Sequence, residues 1–177
     1  MVEMSDSIIL VRPNILLKEK AIDYKQEHFD YGEQEINGGE LWDKIACYEQ
    51  WLEKVTNNAD EKTVSKDWVV TDTFFALRER DNKIIGMIDF RHTLNEFLKD
   101  FGNSGYSVRP TKRNKGYATI MLNKVLQVAK ETGLTCIHLS VKRSNEASVK
   151  TILKNGGVYE RSFEYNGVQA DIYRVSL

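Results

Sequence analysis

The sequence predicts a single α+β domain: a mixed, mostly antiparallel twisted sheet of about seven strands with flanking helices. Three observations lead there. Short apolar or alternating runs recur from the first residues almost to the last. Amphipathic stretches of helical period stand between them. Two turn signals, Asp81-Asn82 and Asn166-Gly167, each separate a pair of such runs, and Asn-Gly is the strongest short-range hairpin signal known. A chain of 177 residues, 41% hydrophobic and 29% charged, suits one domain over residues 1–177.

Residues 7–12 (SIILVR) read as the first strand, closed by Pro13. Residues 16–29 and 41–55 read as helices. In the second, Trp42, Ile45, Cys47, Tyr48, Trp51, Leu52 and Val55 approximate one face. DYGEQEINGGE between them is loop-like through Gly32, Gly38 and Gly39. Residues 73–80 and 83–91 form a hairpin. Residues 94–101 (LNEFLKDF) read as a short helix ended by Gly102, and 105–109 (GYSVR) as a strand. Residues 117–132 are a clear amphipathic helix stopped by Gly133. Residues 136–141 alternate as a strand, 147–154 read as a helix closed by Gly156-Gly157, and 158–165 with 170–175 form the last hairpin. The central strand–helix–strand should be a right-handed parallel crossover.

Net charge is −1, so no general electrostatic footprint for nucleic acid exists. No stretch approaches the roughly 18 apolar residues of a membrane span. The N-terminus carries acids where a secretory leader carries Lys or Arg. Cys47 and Cys136 lie far apart without metal-ligand spacing and read as buried free thiols. The expectation is a cytoplasmic protein without a metal, a nucleic-acid partner or a membrane partner.

Lys112, Arg113 and Lys115 crowd ahead of Gly116, where a strand gives way to a helix. The first-turn N–H groups of a helix have no intrahelical acceptor and carry the positive end of its dipole. Such an end takes phosphate, and a glycine lets the oxygens reach the backbone. Arg113-Asn114-Lys115-Gly116-Tyr117-Ala118, directly after a strand and opening a helix, resembles the R/Q-x-x-G-x-G/A motif of GNAT-type N-acetyltransferases, here a less-studied bacterial subgroup. Asn145-Glu146-Ala147-Ser148 is similar to the same family's N-x-x-[AS] segment. The element order agrees along the whole chain.

The resemblance implies acetyl-CoA as co-substrate, without a metal. Arg113, Asn114, Lys115, Gly116, Tyr117, Ala118 and Thr119 would hold its pyrophosphate, Val108 the pantetheine and developing oxyanion, and Asn145 and Ser148 the pantetheine arm. Residues 104–157 would be the acetyl-CoA-binding core, and residues 13–67 a helical acceptor-side region. The acceptor would be a primary amine of a small molecule or peptide, cationic if the acids between Asp23 and Asp43 rim its site. Many members carry a Tyr acid seven residues after the Asn, where this chain has Ile152. Asn145 also suits a plain helix N-cap.

The proton-transfer groups stay open. His92 comes first, since imidazole titrates near neutrality. Glu96 is second, and Tyr106 lies on the strand before the loop. His28 and His138 read as structural. A non-catalytic acyl-CoA sensor is the alternative that Ile152 raises. The aromatic helix of Trp42, Tyr48 and Trp51 reads as core, partner surface or homodimer seam.

Overall fold

The computed structural model describes residues 6–177; the first five residues of the acidic N-terminus lie outside them. Seven strands and four α-helices follow in the order β1 (Ile8–Val11), α1 (Lys18–Asp30), α2 (Tyr48–Asn58), β2 (Thr71–Arg78), β3 (Lys83–Arg91), β4 (Tyr106–Val108), α3 (Tyr117–Glu131), β5 (Cys136–Lys142), α4 (Glu146–Lys154), β6 (Val158–Tyr165) and β7 (Val168–Ser176). The turns behave as their residues demand. Asn82, Asn166 and Gly167 all have positive φ, which Asn and Gly tolerate best.

The strands form two antiparallel sheets, ordered β1-β2-β3-β4 and β5-β7-β6. This corrects the expectation of one continuous sheet with a parallel β4–α3–β5 crossover. The strand count holds, but β4 and β5 share no ladder. The two sheets are hydrogen-bonded ahead of β4, where an isolated bridge joins Gly102 and Leu139, and Asn103 exchanges hydrogen bonds of 2.7 and 2.8 Å with His138. Beyond that point the sheets part and leave a cleft.

Two apolar cores hold the layers. On one face of the first sheet, Met121, Leu122, Val125, Leu126 and Ala129 of α3 pack with Phe74, Ile85, Ile88 and Phe90, and with Ile137, Leu139 and Val175 of the second sheet. Helix α3 therefore joins the two sheets. On the other face, Ala21 and Tyr24 of α1 and Tyr48, Trp51 and Val55 of α2 pack on Phe75, Ile84 and Met87. Trp42, Tyr48 and Trp51 are core residues with edge and tilted ring contacts of 5.2–5.5 Å, so this helix offers neither a partner surface nor a dimer seam through them.

Three local expectations fail. Helix α2 begins at Tyr48, not residue 41: Glu40 and Leu41 have φ of 49° and 67°, and 40–44 is a series of turns around buried Trp42. Residues 94–101 are turns, with Asn95 Oδ1 accepting from the Leu98 amide at 2.9 Å, a side-chain turn that competes with helix. Cys47 is exposed at the head of α2 rather than buried; Cys136 is half-buried.

Candidate active site

Helix α3 starts behind a loop that turns twice through left-handed backbone, at Asn114 (φ 61°) and Gly116 (φ 81°). No side chain caps it and no acid lies in its first turn. Ile120 N is the first helical amide with a partner, Gly116 O at 3.3 Å, which leaves the N–H groups of Tyr117, Ala118 and Thr119 without intrahelical acceptors. A Cβ at Gly116 would meet nothing within 4 Å. The glycine therefore serves the positive φ and an open face, not close packing. Lys112 and Lys115 stand beside the loop, and Lys115 is exposed. Free first-turn amides beside two lysines suit an anion.

Several side chains of the motif have other work. The Tyr117 hydroxyl donates to Asp6 (2.6 Å) and accepts from Arg78 (3.2 Å), anchoring the helix start to β1 and β2. Its amide has no intrahelical acceptor. Thr119 O accepts from Asn155 Nδ2 at 3.2 Å, tying α3 to α4. Arg113 donates to Glu33 at 2.5 and 2.9 Å and to Val108 O at 3.2 Å.

Three of the acids that suggested a rim for a cationic acceptor, Asp23, Glu27 and Glu33, are paired with Arg109 or Arg113. Arg109, 1% exposed, donates to Glu27 (2.6 Å) and pairs with Asp23 (2.9 Å). Glu27 also accepts from the Thr111 amide and hydroxyl at 2.9 and 2.6 Å. Glu33 joins Arg113 to the buried His28, whose Nδ1 lies 2.6 Å away, a partner the sequence did not suggest. Helix α1 and its following loop thus clamp the segment that leads from β4 into α3.

The edge of β4 is the second element of the site. Asp89 N donates to Gly105 O (3.1 Å) and Arg109 N to Ile85 O (2.7 Å), with Ser107 opposite Met87. In an antiparallel ladder this alternation turns the N–H and C=O groups of Tyr106 and Val108 away from β3. They line the cleft edge, where no strand pairs with β4 among the described residues. Across the cleft, Asn145 Oδ1 accepts from the Ser148 amide at 3.2 Å, the cap role expected as its simpler reading. The Tyr106 hydroxyl lies 2.7 Å from Ser148 Oγ. Burial pushes this hydroxyl's pKa up, partly offset by the Ser148 bond, so it keeps its proton at neutral pH. Ile152, one turn beyond Ser148, is buried in the α3 core, and a Cβ at Gly157 would collide with it.

The structure separates the proton-transfer candidates. His92 Nε2 is held by Asp72 on β2 at 2.7 Å, and Asp72 is paired with Arg12 at 2.6 Å. That places His92 Nε2 in an ion cluster on the β1–β2 side, two strands from β4. The side chain of Glu96 is 93% exposed and meets only Lys99 at 3.0 Å. Neither is brought to β4; Tyr106 is.

One acid group was missed. Glu40 and Asp89 are both buried, and the loop before Glu40 packs on Gly105, with Gly38 against its carbonyl. Asp89 Oδ1 accepts from the Gly105 amide at 2.7 Å, immediately before Tyr106. Burial and then the Asp89 charge push the Glu40 carboxyl up to about 8, against Arg91 and Lys54. The only sequence signal was Gly38-Gly39-Glu40, read as loop.

Among the described residues, no group of three or more His, Cys, Asp or Glu side chains is placed to hold a metal, and no helix is long and apolar enough to cross a membrane. The fold and site define an acyl-CoA-type transferase scaffold. The chain belongs to the acetyltransferase (GNAT) family, whose sequence profile matches residues 41–156. Among curated proteins no sequence matches significantly. Among solved structures it is similar to a GNAT-family acetyltransferase from Bordetella pertussis (12% identity, TM-score 0.70, 99% of each chain covered). It is also similar to RimL, the ribosomal L7/L12 alpha-N-protein acetyltransferase in complex with coenzyme A (14%, 0.71, covering 99% of this chain and 97% of that one). A third is the microcin C7 self immunity acetyltransferase MccE in complex with acetyl-CoA and AMP (19%, 0.68, covering 97% and 93%). At these identities the likeness is one of fold.

Proposed function

We propose that the protein is a cytoplasmic N-acetyltransferase that moves an acetyl group from acetyl-CoA to a primary amine of a small molecule or peptide by direct transfer. The observation that carries this reading is the pairing of an unpartnered helix start, α3 behind Asn114 and Gly116, with the open edge of β4 beside it. The first is a cradle for a pyrophosphate. The second offers amide donors to an extended amide-bearing arm.

In this reading the amides of Gly116 to Thr119 hold the pyrophosphate, with Asn114 shaping the loop and Lys115 and Arg113 adding charge. The groups of Tyr106 and Val108 on the β4 edge position the arm, and the Val108 N–H faces the oxygen that gains charge in the transition state. Asn145 and Ser148 close the far wall. Holding amine and thioester in contact alone supplies about 7–11 kcal/mol of the barrier. Tyr106 takes over the role of the missing tyrosine at position 152, since its hydroxyl reaches helix α4 one turn before Ile152. Glu96 and His92 are not used.

The test is titration calorimetry with acetyl-CoA, followed by thiol release with a panel of primary amines. A ligand that binds only the folded state at a hundredfold excess over Kd stabilises by about 2.7 kcal/mol, which a melting curve reads. Absence of binding removes the reading. Binding without transfer to any amine would favour the acyl-CoA sensor that buried Ile152 suggests.

A further inference from the structure

We propose that Glu40, paired with Asp89, is the general base of the transfer and takes the proton of the acceptor amine; this rests on the transferase reading above. Asp89 lies opposite Gly105 and accepts from its amide, so the pair stands beside the residue that leads into β4. It stands on the α1–α2 face of the sheet, the face of Met87, whereas Tyr106 and Val108 pack toward the α3 core. A proton acceptor on one face and the Tyr106–Ser148 donor on the other therefore flank the strand whose open edge positions the thioester.

The loop that carries Glu40 is built to keep it there. Gly38 (φ 75°) is pressed so closely on the Gly105 carbonyl that a Cβ would collide with it. Trp51 Nε1 donates to Gly39 O at 2.8 Å, and Trp42 N to the same oxygen at 3.0 Å. Glu40 and Leu41 both hold left-handed backbone, a conformation that non-glycine residues keep only where the surroundings impose it. Two buried carboxyls side by side cannot both ionise at neutral pH, so one keeps its proton. The charged groups that bear on Glu40 are Asp89 and Arg91 from β3 and Lys54 from α2. Next to Asp89, in register on β2, the Thr73 hydroxyl is buried without a partner, as is Arg91 Nε. The cluster has polar capacity left for a substrate.

The step balances as follows. The ammonium of the acceptor gives one proton to the Glu40 carboxylate. The freed nitrogen lone pair forms the C–N bond at the thioester carbonyl carbon. The C–S bond breaks, and its electron pair leaves on sulfur. The second amine proton passes to that sulfur through Tyr106 or water, giving thiol and amide, and Glu40 returns its proton to solvent.

The experiment measures thiol release from acetyl-CoA with the amine panel from pH 6 to 10 for the wild type, Glu40→Gln and Asp89→Asn. Acetyl-CoA affinity and melting curves are taken for each. In the wild type kcat/KM should rise with pH to a plateau above about 8. Glu40→Gln should lower kcat by about 10²–10⁴-fold and flatten that limb, with acetyl-CoA affinity unchanged. Asp89→Asn, which removes the like charge but keeps an acceptor for the Gly105 amide, should move the limb to lower pH. Wild-type rate and limb in a folded Glu40→Gln protein overturn the proposal and leave the transferase reading intact. No transfer by the wild type to any amine overturns both. If Glu40→Gln does not fold, Asp89→Asn decides: an unmoved limb rejects the pair.

Discussion

The hydroxyl of Tyr106 and the hydroxyl of Ser148 meet at 2.7 Å across the cleft between β4 and α4. This contact links two walls that no ladder joins. It places a hydroxyl one helical turn before Ile152.

Tyr106→Phe should therefore lower kcat by about 10²-fold or more, within the usual worth of general acid assistance, while leaving acetyl-CoA affinity near wild type. Ser148→Ala should cost less, because Tyr106 keeps its proton without it. Steady-state kinetics with one good amine acceptor checks both. Full activity in Tyr106→Phe would place the acid elsewhere.

Gly116→Val should weaken acetyl-CoA binding far more than Lys112→Ala. Left-handed backbone costs a branched residue about 1–2 kcal/mol, and the side chain would occupy the open face. Lys112 precedes the loop and contributes charge only. Equal affinities in calorimetry would remove the loop from the site.

Glu27 gives a pH prediction of definite sign. Burial raises its pKa, but the bonds from Thr111 and Arg109 outweigh that and bring it from 4.5 to about 2. A carboxylate depressed in the folded state stabilises above its unfolded pKa, and that contribution is lost as pH falls from about 4.5 through about 2. Glu27→Gln should therefore be less stable than wild type at pH 7, and the gap should close across that window in urea unfolding. A constant gap would mean the clamp acts by packing alone.

Much of this fold was legible in the sequence because its elements are locally consistent. The Asn-Gly turn, the periodic α3 and the glycine before it each stated their structure within a few residues. Helix α2 was misplaced because Trp42 and Ile45 continue its apolar pattern from a turn that packs into the same core. The open β4–β5 cleft could not be read from strand spacing, since the sheets are joined there by the Gly102–Leu139 bridge and the Asn103–His138 hydrogen bonds, not by a ladder. The loop before α3, with left-handed Asn114 and Gly116, was legible as a local motif. The fates of His92, Glu96 and Glu40 were not, because Asp72, Asp89 and Gly105 reach them only through strand pairing far along the chain.

Glu40 carries the opposite sign from Glu27. Its pKa is raised from 4.5 to about 8, so the folded state holds a proton the unfolded chain has given up. Its contribution is fully present below about 4.5 and is lost as pH rises through about 8. Wild-type stability should decline across that range, and Glu40→Gln should not. Parallel declines in urea unfolding would show that the pair is not protonated as described.

The edge of β4 is unpaired among the described residues. The two sheets are fastened by α3, the Gly102–Leu139 bridge and the Asn103–His138 hydrogen bonds, so the amides of Tyr106 and Val108 stand at a seam rather than inside a ladder. An extended, amide-bearing arm laid in that seam acts as the missing strand, adding hydrogen bonds where the polypeptide provides none. On the function proposed above, the ligand-free protein is an unfinished sheet that acetyl-CoA completes. Slow hydrogen exchange at these two amides should then appear only while the co-substrate is bound.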